Sequence, residues 1–175
     1  MHDSPLLVRD TEDMDKTPRI QAVTVDGATT LKIKWRRGLT DSVDLAGWIA
    51  GGGDILVALQ EPALFRKPRV ADYGAAVAWD NDDLRIDAVH LQQLALEQRP
   101  FGAREAAEWQ RAMGISNREA ADLLGVSVST WSAYKAGATI PNAVAMLCRA
   151  ARRDPILMNA HFRPRRRAGR PRKSA

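Results

Sequence analysis

Three stretches of this 175-residue chain carry residue types that could do chemistry. The first is Gly51-Gly52-Gly53, at the end of a glycine-rich run that opens at Gly47 beside Trp48. A phosphate-cradling loop needs Lys-Ser/Thr and a helix start after its glycines. Here Asp54-Ile55-Leu56-Val57 follows instead, and an aspartate repels phosphate, so the run is expected to be a permissive turn. The second stretch holds Asp80, Asp82 and Asp83. A calcium loop counted from Asp80 would need glycine at its sixth position and glutamate at its twelfth. Arg85 and Leu91 stand there, which points to a solvated turn leading into a helix. The third is the basic run from Arg163 to Lys173, whose chemistry is that of a polyanion ligand.

Nothing else supplies a reactive set. His90 lies off the apolar stripe of its own helix, and no other His, Glu or Cys sits at a ligand spacing from it. No nucleophile–base pair or coupled acids stand out, so neither an enzyme nor a cofactor or metal site is expected. Cys148 is the single cysteine, which excludes an intrachain disulfide, and its neighbours Leu147, Ala150 and Ala151 suggest a small buried hydrophobe. No apolar run approaches the roughly 20 residues that span a bilayer, and the N-terminus is too acidic for a signal peptide. A cytoplasmic protein with no membrane partner is the expectation.

The net charge of +5 is unevenly spread. Residues 1–98 hold 11 Lys/Arg against 16 Asp/Glu, whereas residues 99–160 hold 8 against 5. Residues 161–175 add seven basic and no acidic side chains. The field that attracts a polyanion therefore belongs to the second half of the chain.

Four segments must position these residues. Residues 1–18 are polar and unpatterned, a disordered lead. Residues 19–98 have the pattern of an α+β domain. Ile20, Val23 and Val25 alternate loosely, and Leu31, Ile33 and Trp35 alternate cleanly with Lys32 and Lys34, the period of a half-buried strand. Asp26-Gly27 and Arg37-Gly38 mark turns, and a third antiparallel strand follows around residues 42–45. Pro62 to Phe65 forms a helical turn, and residues 70–72 and 75–79 form two more strands around Tyr73-Gly74. A helix with Asp87 as N-cap then turns Ala88, Leu91, Leu94 and Ala95 inward. Pro100-Phe101-Gly102 marks the boundary to an all-α domain over residues 99–160.

That second domain centres on Ser116 to Pro141. Ser116 and Glu119 make a capping box ahead of Ala120, Ala121, Leu123 and Leu124, and Gly125 stops the helix. Ser127 caps a second helix that carries Trp131 and Tyr134 and ends at Gly137. A helix from Ala103 to Met113 precedes this pair, and a fourth around Leu147 and a short fifth from Ile156 to Ala160 follow it. Gly125-Val126-Ser127, Thr130, Trp131, Ser132, Tyr134, Gly137 and Pro141 resemble the Cro and phage-repressor helix-turn-helix family, over about residues 103 to 158. Lys135 replaces the glutamate usual in that family, and Val128 and Ala133 replace polar or basic residues. The resemblance implies that the helix from Val128 to Ala136 enters a DNA major groove. Val128, Ser129 and Ala133 would then face base edges, with Thr130, Ser132 and Lys135 as further contacts. Asn117, Arg118 and Ser127 would lie near phosphates.

The first half also resembles a family. Trp35-Arg36-Arg37-Gly38, Val43-Asp44-Leu45, Glu61-Pro62-Ala63-Leu64-Phe65, Val70 and Trp79 ahead of Asp83-Leu84 are similar to a small bacterial α+β domain of unknown function, often fused ahead of a repressor-type helix-turn-helix. In the tail, which has too few apolar residues to fold alone, Gly169-Arg170-Pro171 resembles an AT-hook. With Arg165, Arg166, Arg167, Arg172 and Lys173 it would lie in the narrow minor groove of A·T-rich DNA.

The expected function is that of a bacterial DNA-binding transcriptional regulator, sequence-specific or A·T-preferring, with double-stranded DNA as partner and a homodimer as one possible form. The alternative is an antitoxin-like protein, whose acidic first domain grips a partner protein while the second represses its own operon. Small-ligand sensing by the first domain has no motif behind it.

Overall fold

The computed structural model describes residues 17–80 and 83–165. The fold is α+β and divides between Arg99 and Pro100 into two compact units.

Unit 1 opens with three antiparallel strands in sequential order, β1 (Ile20–Val25), β2 (Thr30–Trp35) and β3 (Thr40–Asp44). The alternation in β2 does what its period requires: Leu31, Ile33 and Trp35 are buried while Lys32 and Lys34 face solvent. Opposite Ile33 in the register stands Asp41, the buried charged residue of this core. It is satisfied on three sides. Trp35 Nε1 donates to its Oδ2 at 2.7 Å, and Arg99 Nε and Nη2 donate to Oδ1 and Oδ2 at 2.8 Å each. The Arg99 hydrogen bond, aided by that of Trp35, holds the Asp41 carboxyl below the usual carboxylate range despite its burial. The outer edge of β3 is closed by a side chain: Gln98 accepts from Asp44 N and donates to Asp44 O, both at 2.8 Å, as a neighbouring strand would.

The glycine run departs from expectation. It is helical, as α1 (Ala46–Gly51) and α2 (Gly53–Leu56), followed by a 3-10 turn over Val57–Gln60. Glycine permits a turn without compelling one, and burying Ile49, Leu56 and Leu59 decides for helix. The kink falls between Gly52, where a Cβ would stand 2.0 Å from the Leu56 side chain, and Gly53 at φ 57°. After α3 (Pro62–Phe65), the Phe65 and Trp79 rings stack at 5.9 Å, and the Trp79 indole donates to Phe65 O at 3.0 Å.

A second sheet holds β4 (Arg69–Ala71), β5 (Ala76–Ala78) and β6 (Arg85–Asp87) in sequential antiparallel order. Strand β6 occupies part of what was expected to be a solvated turn. Three residues are too short to show a period, but Ile86 pairs with Val77 and enters the core. Helix α4 (Ala88–Gln98) follows, burying Ala88, Leu91 and Ala95. Asp87 stands at its N-cap without a capping side-chain hydrogen bond. His90 is exposed, its ring edge-on to Trp48.

Between β4 and β5, Asp72, Tyr73 and Gly74 adopt φ of 49°, 53° and 89° in succession. Two non-glycine residues in the left-handed region cost about 1–3 kcal/mol each and persist only where the surroundings fix them. Arg36 Nη2 donates to Tyr73 O at 2.9 Å, and Arg85 pairs with Asp72 at 3.1 Å. A Cβ on Gly74 would lie 2.4 Å from Ile20 O, so the backbone itself is packed against β1. The strained turn leaves the Tyr73 side chain 92% exposed.

Among its described residues unit 2 is all-α, with five helices: α5 (Ala103–Met113), α6 (Asn117–Leu124), α7 (Val128–Lys135), α8 (Asn142–Arg153) and α9 (Pro155–His161). Trp109, Ala120, Ala121, Leu124, Trp131 and Cys148 form its core. The Trp109 and Trp131 rings meet edge-on at 5.6 Å. Burial pushes the Cys148 thiol up to about 12, which keeps it protonated and inert.

Candidate nucleic-acid interface

Helices α6 and α7 are joined by a turn whose geometry follows from a few residues. Ser116 Oγ accepts from Glu119 N at 3.3 Å, and Glu119 Oε2 accepts from Ser116 N at 2.8 Å, closing the capping box of α6. Gly125 ends α6 in the left-handed conformation, φ 67°, and the Val126 amide returns to Ala121 O at 3.0 Å. Val126 is drawn partly into the core, so the chain turns inward before Ser127 starts α7. Ser127 Oγ accepts from Thr130 N at 3.0 Å and lies 2.8 Å from both Ser129 Oγ and Thr130 Oγ1. A cluster of three hydroxyls therefore sits at the α7 N-terminus, where the helix dipole favours an anion.

Trp131 points inward with no exposed surface, and Tyr134 packs edge-on against it at 6.5 Å. The opposite side carries Val128, Ser129, Ser132 and Ala133, all exposed, with Val128 at 40%. Thr130 is half-buried. The outward face of α7 is thus small, short-armed and uncharged.

Lys135 and Asn117, which the resemblance implies are DNA contacts, are hydrogen-bonded within unit 2. Lys135 is half-buried, and its Nζ donates to Asn117 Oδ1 at 2.6 Å and to Gln110 Oε1 at 2.8 Å. Gln110 is the hub. Its Oε1 also accepts from Trp131 Nε1 at 2.8 Å, while its Nε2 donates to Ile115 O and Asn117 Oδ1, both at 3.0 Å. Every donor and acceptor of that amide is used, which locks α5, the start of α6 and α7 into one arrangement. Sequence reasoning missed Gln110; its position beside buried Trp109 on an amphipathic helix was the available signal. Arg118 is exposed on the first turn of α6.

The basic run enters the described residues only at its root. Helix α9 extends to His161, and Phe162 packs against the core, past the residue-160 boundary drawn from sequence. Arg163 Nη1 donates to Ala160 O and Phe162 O at 2.9 and 3.0 Å. Arg165 donates its backbone N–H to Glu119 Oε1 at 2.8 Å, and its Nε and Nη2 to Asp122 Oδ2 at 2.8 and 2.6 Å. Arg166, Arg167, Gly169, Arg170, Pro171, Arg172 and Lys173, the AT-hook-like part, lie outside the described residues. Among the described residues no cluster of His, Cys, Asp or Glu could hold a metal ion, and no helix is long and apolar enough to cross a membrane.

No family model matches the chain, and no curated protein matches it. Among solved structures, it is similar to a candidate DNA-binding protein of Nitrosomonas europaea. The two share 22% identity at a TM-score of 0.42, over 77% of this chain and 86% of the other. That likeness assigns no role to any residue here.

Proposed function

We propose that unit 2 binds double-stranded DNA as a helix-turn-helix, with α7 entering the major groove, and that the chain is a bacterial transcriptional regulator. The observation that carries this reading is the α6–turn–α7 pair. Both helices are capped, the turn is fixed by a left-handed glycine, and one side of α7 is locked to the core while the other stands free. In this reading Val128, Ser129, Ser132 and Ala133 meet the bases, the Ser127–Ser129–Thr130 hydroxyls and Arg118 meet phosphates, and Lys135 and Asn117 hold the helices in register.

The free face has no Arg, Asn or Gln, the side chains that make bidentate bonds to bases. Discrimination therefore rests on methyl contacts and hydroxyls, and the basic tail supplements the affinity. Selection from a random duplex pool is the test. A modest, A·T-leaning motif supports the reading, and failure to enrich or retain any duplex sinks it.

An antitoxin-like role is a second reading, and Tyr73 is the observation in its favour. A large aromatic held almost fully in solvent by a strained turn is the kind of side chain that anchors a protein partner. Co-purification of a partner with the native chain, lost in Tyr73→Ala, would support it; unchanged recovery in the variant would count against it.

A further inference from the structure

The residues that join α9 to the basic tail are built into unit 2. Phe162 is packed in the core, Arg163 covers two carbonyls at the end of α9, and Arg165 closes a three-donor contact on α6. Two of the seven basic residues after position 160 are thereby engaged at the root, and five remain beyond it, between Arg166 and Lys173. The acceptors are specific. Glu119 uses one carboxylate oxygen to close the α6 capping box and offers the other to the Arg165 amide. Asp122, one turn further along the exposed side of α6, takes the guanidinium. Without Arg165, the exposed Asp122 carboxylate would stand on α6 within two turns of Asn117 and Arg118, where it would repel phosphate.

We propose that Asp122 and Glu119 form an anchoring site for the root of the tail, which delivers residues 166–173 to the same DNA duplex that α7 engages. The proposal rests on the DNA-binding reading and adds where the tail starts. A tether fixed on α6 raises the local concentration of the tail at adjoining DNA, because the eight residues from Arg166 to Lys173 reach at most about 29 Å. Arg165 acts as a positioning residue: its charge is committed to α6, and the charges beyond it meet phosphates and the minor groove.

The test uses the full chain with and without Asp122→Ala, each also prepared with Arg166, Arg167, Arg170, Arg172 and Lys173 replaced by alanine. Binding is titrated on an A·T-rich duplex. Anchoring predicts that Asp122→Ala weakens the fully charged chain about three- to five-fold, against the trend expected from removing a negative charge. In the tail-neutral chain the same substitution leaves binding unchanged or tighter. An equal effect in both backgrounds overturns the proposal. Backbone 15N relaxation at Arg165 reads the anchor without DNA. It should be as ordered as His161 in the native chain and loosen in Asp122→Ala. An Arg165 amide that relaxes as unfolded chain in the native protein refutes the anchor itself. Loss of all duplex binding by the native protein would fell the DNA reading and the delivery role with it, while the relaxation result would still decide the anchor.

Discussion

Gln110 accepts the indole N–H of Trp131 at 2.8 Å, and this bond joins the packing of unit 2 to the orientation of α7. The same oxygen takes Lys135 Nζ, and the amide nitrogen holds Ile115 and Asn117. Gln110→Leu would leave the Trp131 indole, the Lys135 ammonium and Ile115 O short of partners. We expect a loss of about 2–3 kcal/mol in urea unfolding, since stranded buried polar groups cost more than a hydrogen bond returns. An unchanged midpoint would show that water replaces the network without loss.

Two glycines separate conformational cost from collision. Gly125 is left-handed with nothing within 4 Å of a would-be Cβ, so Gly125→Ala should cost about 1 kcal/mol, and asparagine less. Gly74 is also left-handed, but its Cβ would stand 2.4 Å from Ile20 O. Gly74→Ala should therefore cost roughly 3 kcal/mol or more, moving the thermal unfolding of unit 1 much further than Gly125→Ala moves that of unit 2. Equal shifts would contradict the packing described at Ile20.

Asp41 makes unit 1 sensitive to acid. Its carboxyl is held below the usual range chiefly by Arg99, so its contribution is complete above the unfolded carboxylate value. It is lost as pH falls below about 4 and through the folded value. Arg99 is 40% exposed, which weakens the pair through solvent screening. Asp41→Asn should lower stability by about 2 kcal/mol at neutral pH, and the gap to the native chain should close in acid. A constant gap down to low pH would remove Asp41 as its source.

Much of this fold is legible in the sequence, and the exceptions have physical causes. Alternation gave away β2 because one face is buried and the other solvated, and the Ser116–Glu119 box and Ser127 marked the starts of α6 and α7. Strand β6 escaped because Arg85-Ile86-Asp87 is too short to carry a period. The helical glycine run escaped because its conformation is set by Ile49 and Leu56 packing elsewhere. Lys135 looked like an outward contact, yet it lies four residues from buried Trp131 and so belongs to the edge of the inward face. Gln110 beside buried Trp109 was a local hint of an inward-facing polar group, but its four partners come from three different parts of unit 2 and no local pattern names them.

The tail should govern salt dependence. Replacing the five basic residues from Arg166 to Lys173 by alanine should reduce the slope of log affinity against log salt by up to about 4.5, if each meets a phosphate. An unchanged slope would mean that the tail does not touch DNA.

The α7 face is tested most directly by Val128→Glu with Ala133→Glu. Both sites are exposed; a glutamate at 128 in the first turn suits the helix dipole and one at 133 in the last turn opposes it by a similar amount, so the fold should melt close to the native chain. Titrated against a selected duplex, the double variant should bind at least about ten-fold more weakly than the native chain, because two carboxylates would then face bases and phosphates. Undiminished binding with an intact melt would show that α7 is not the element that meets DNA.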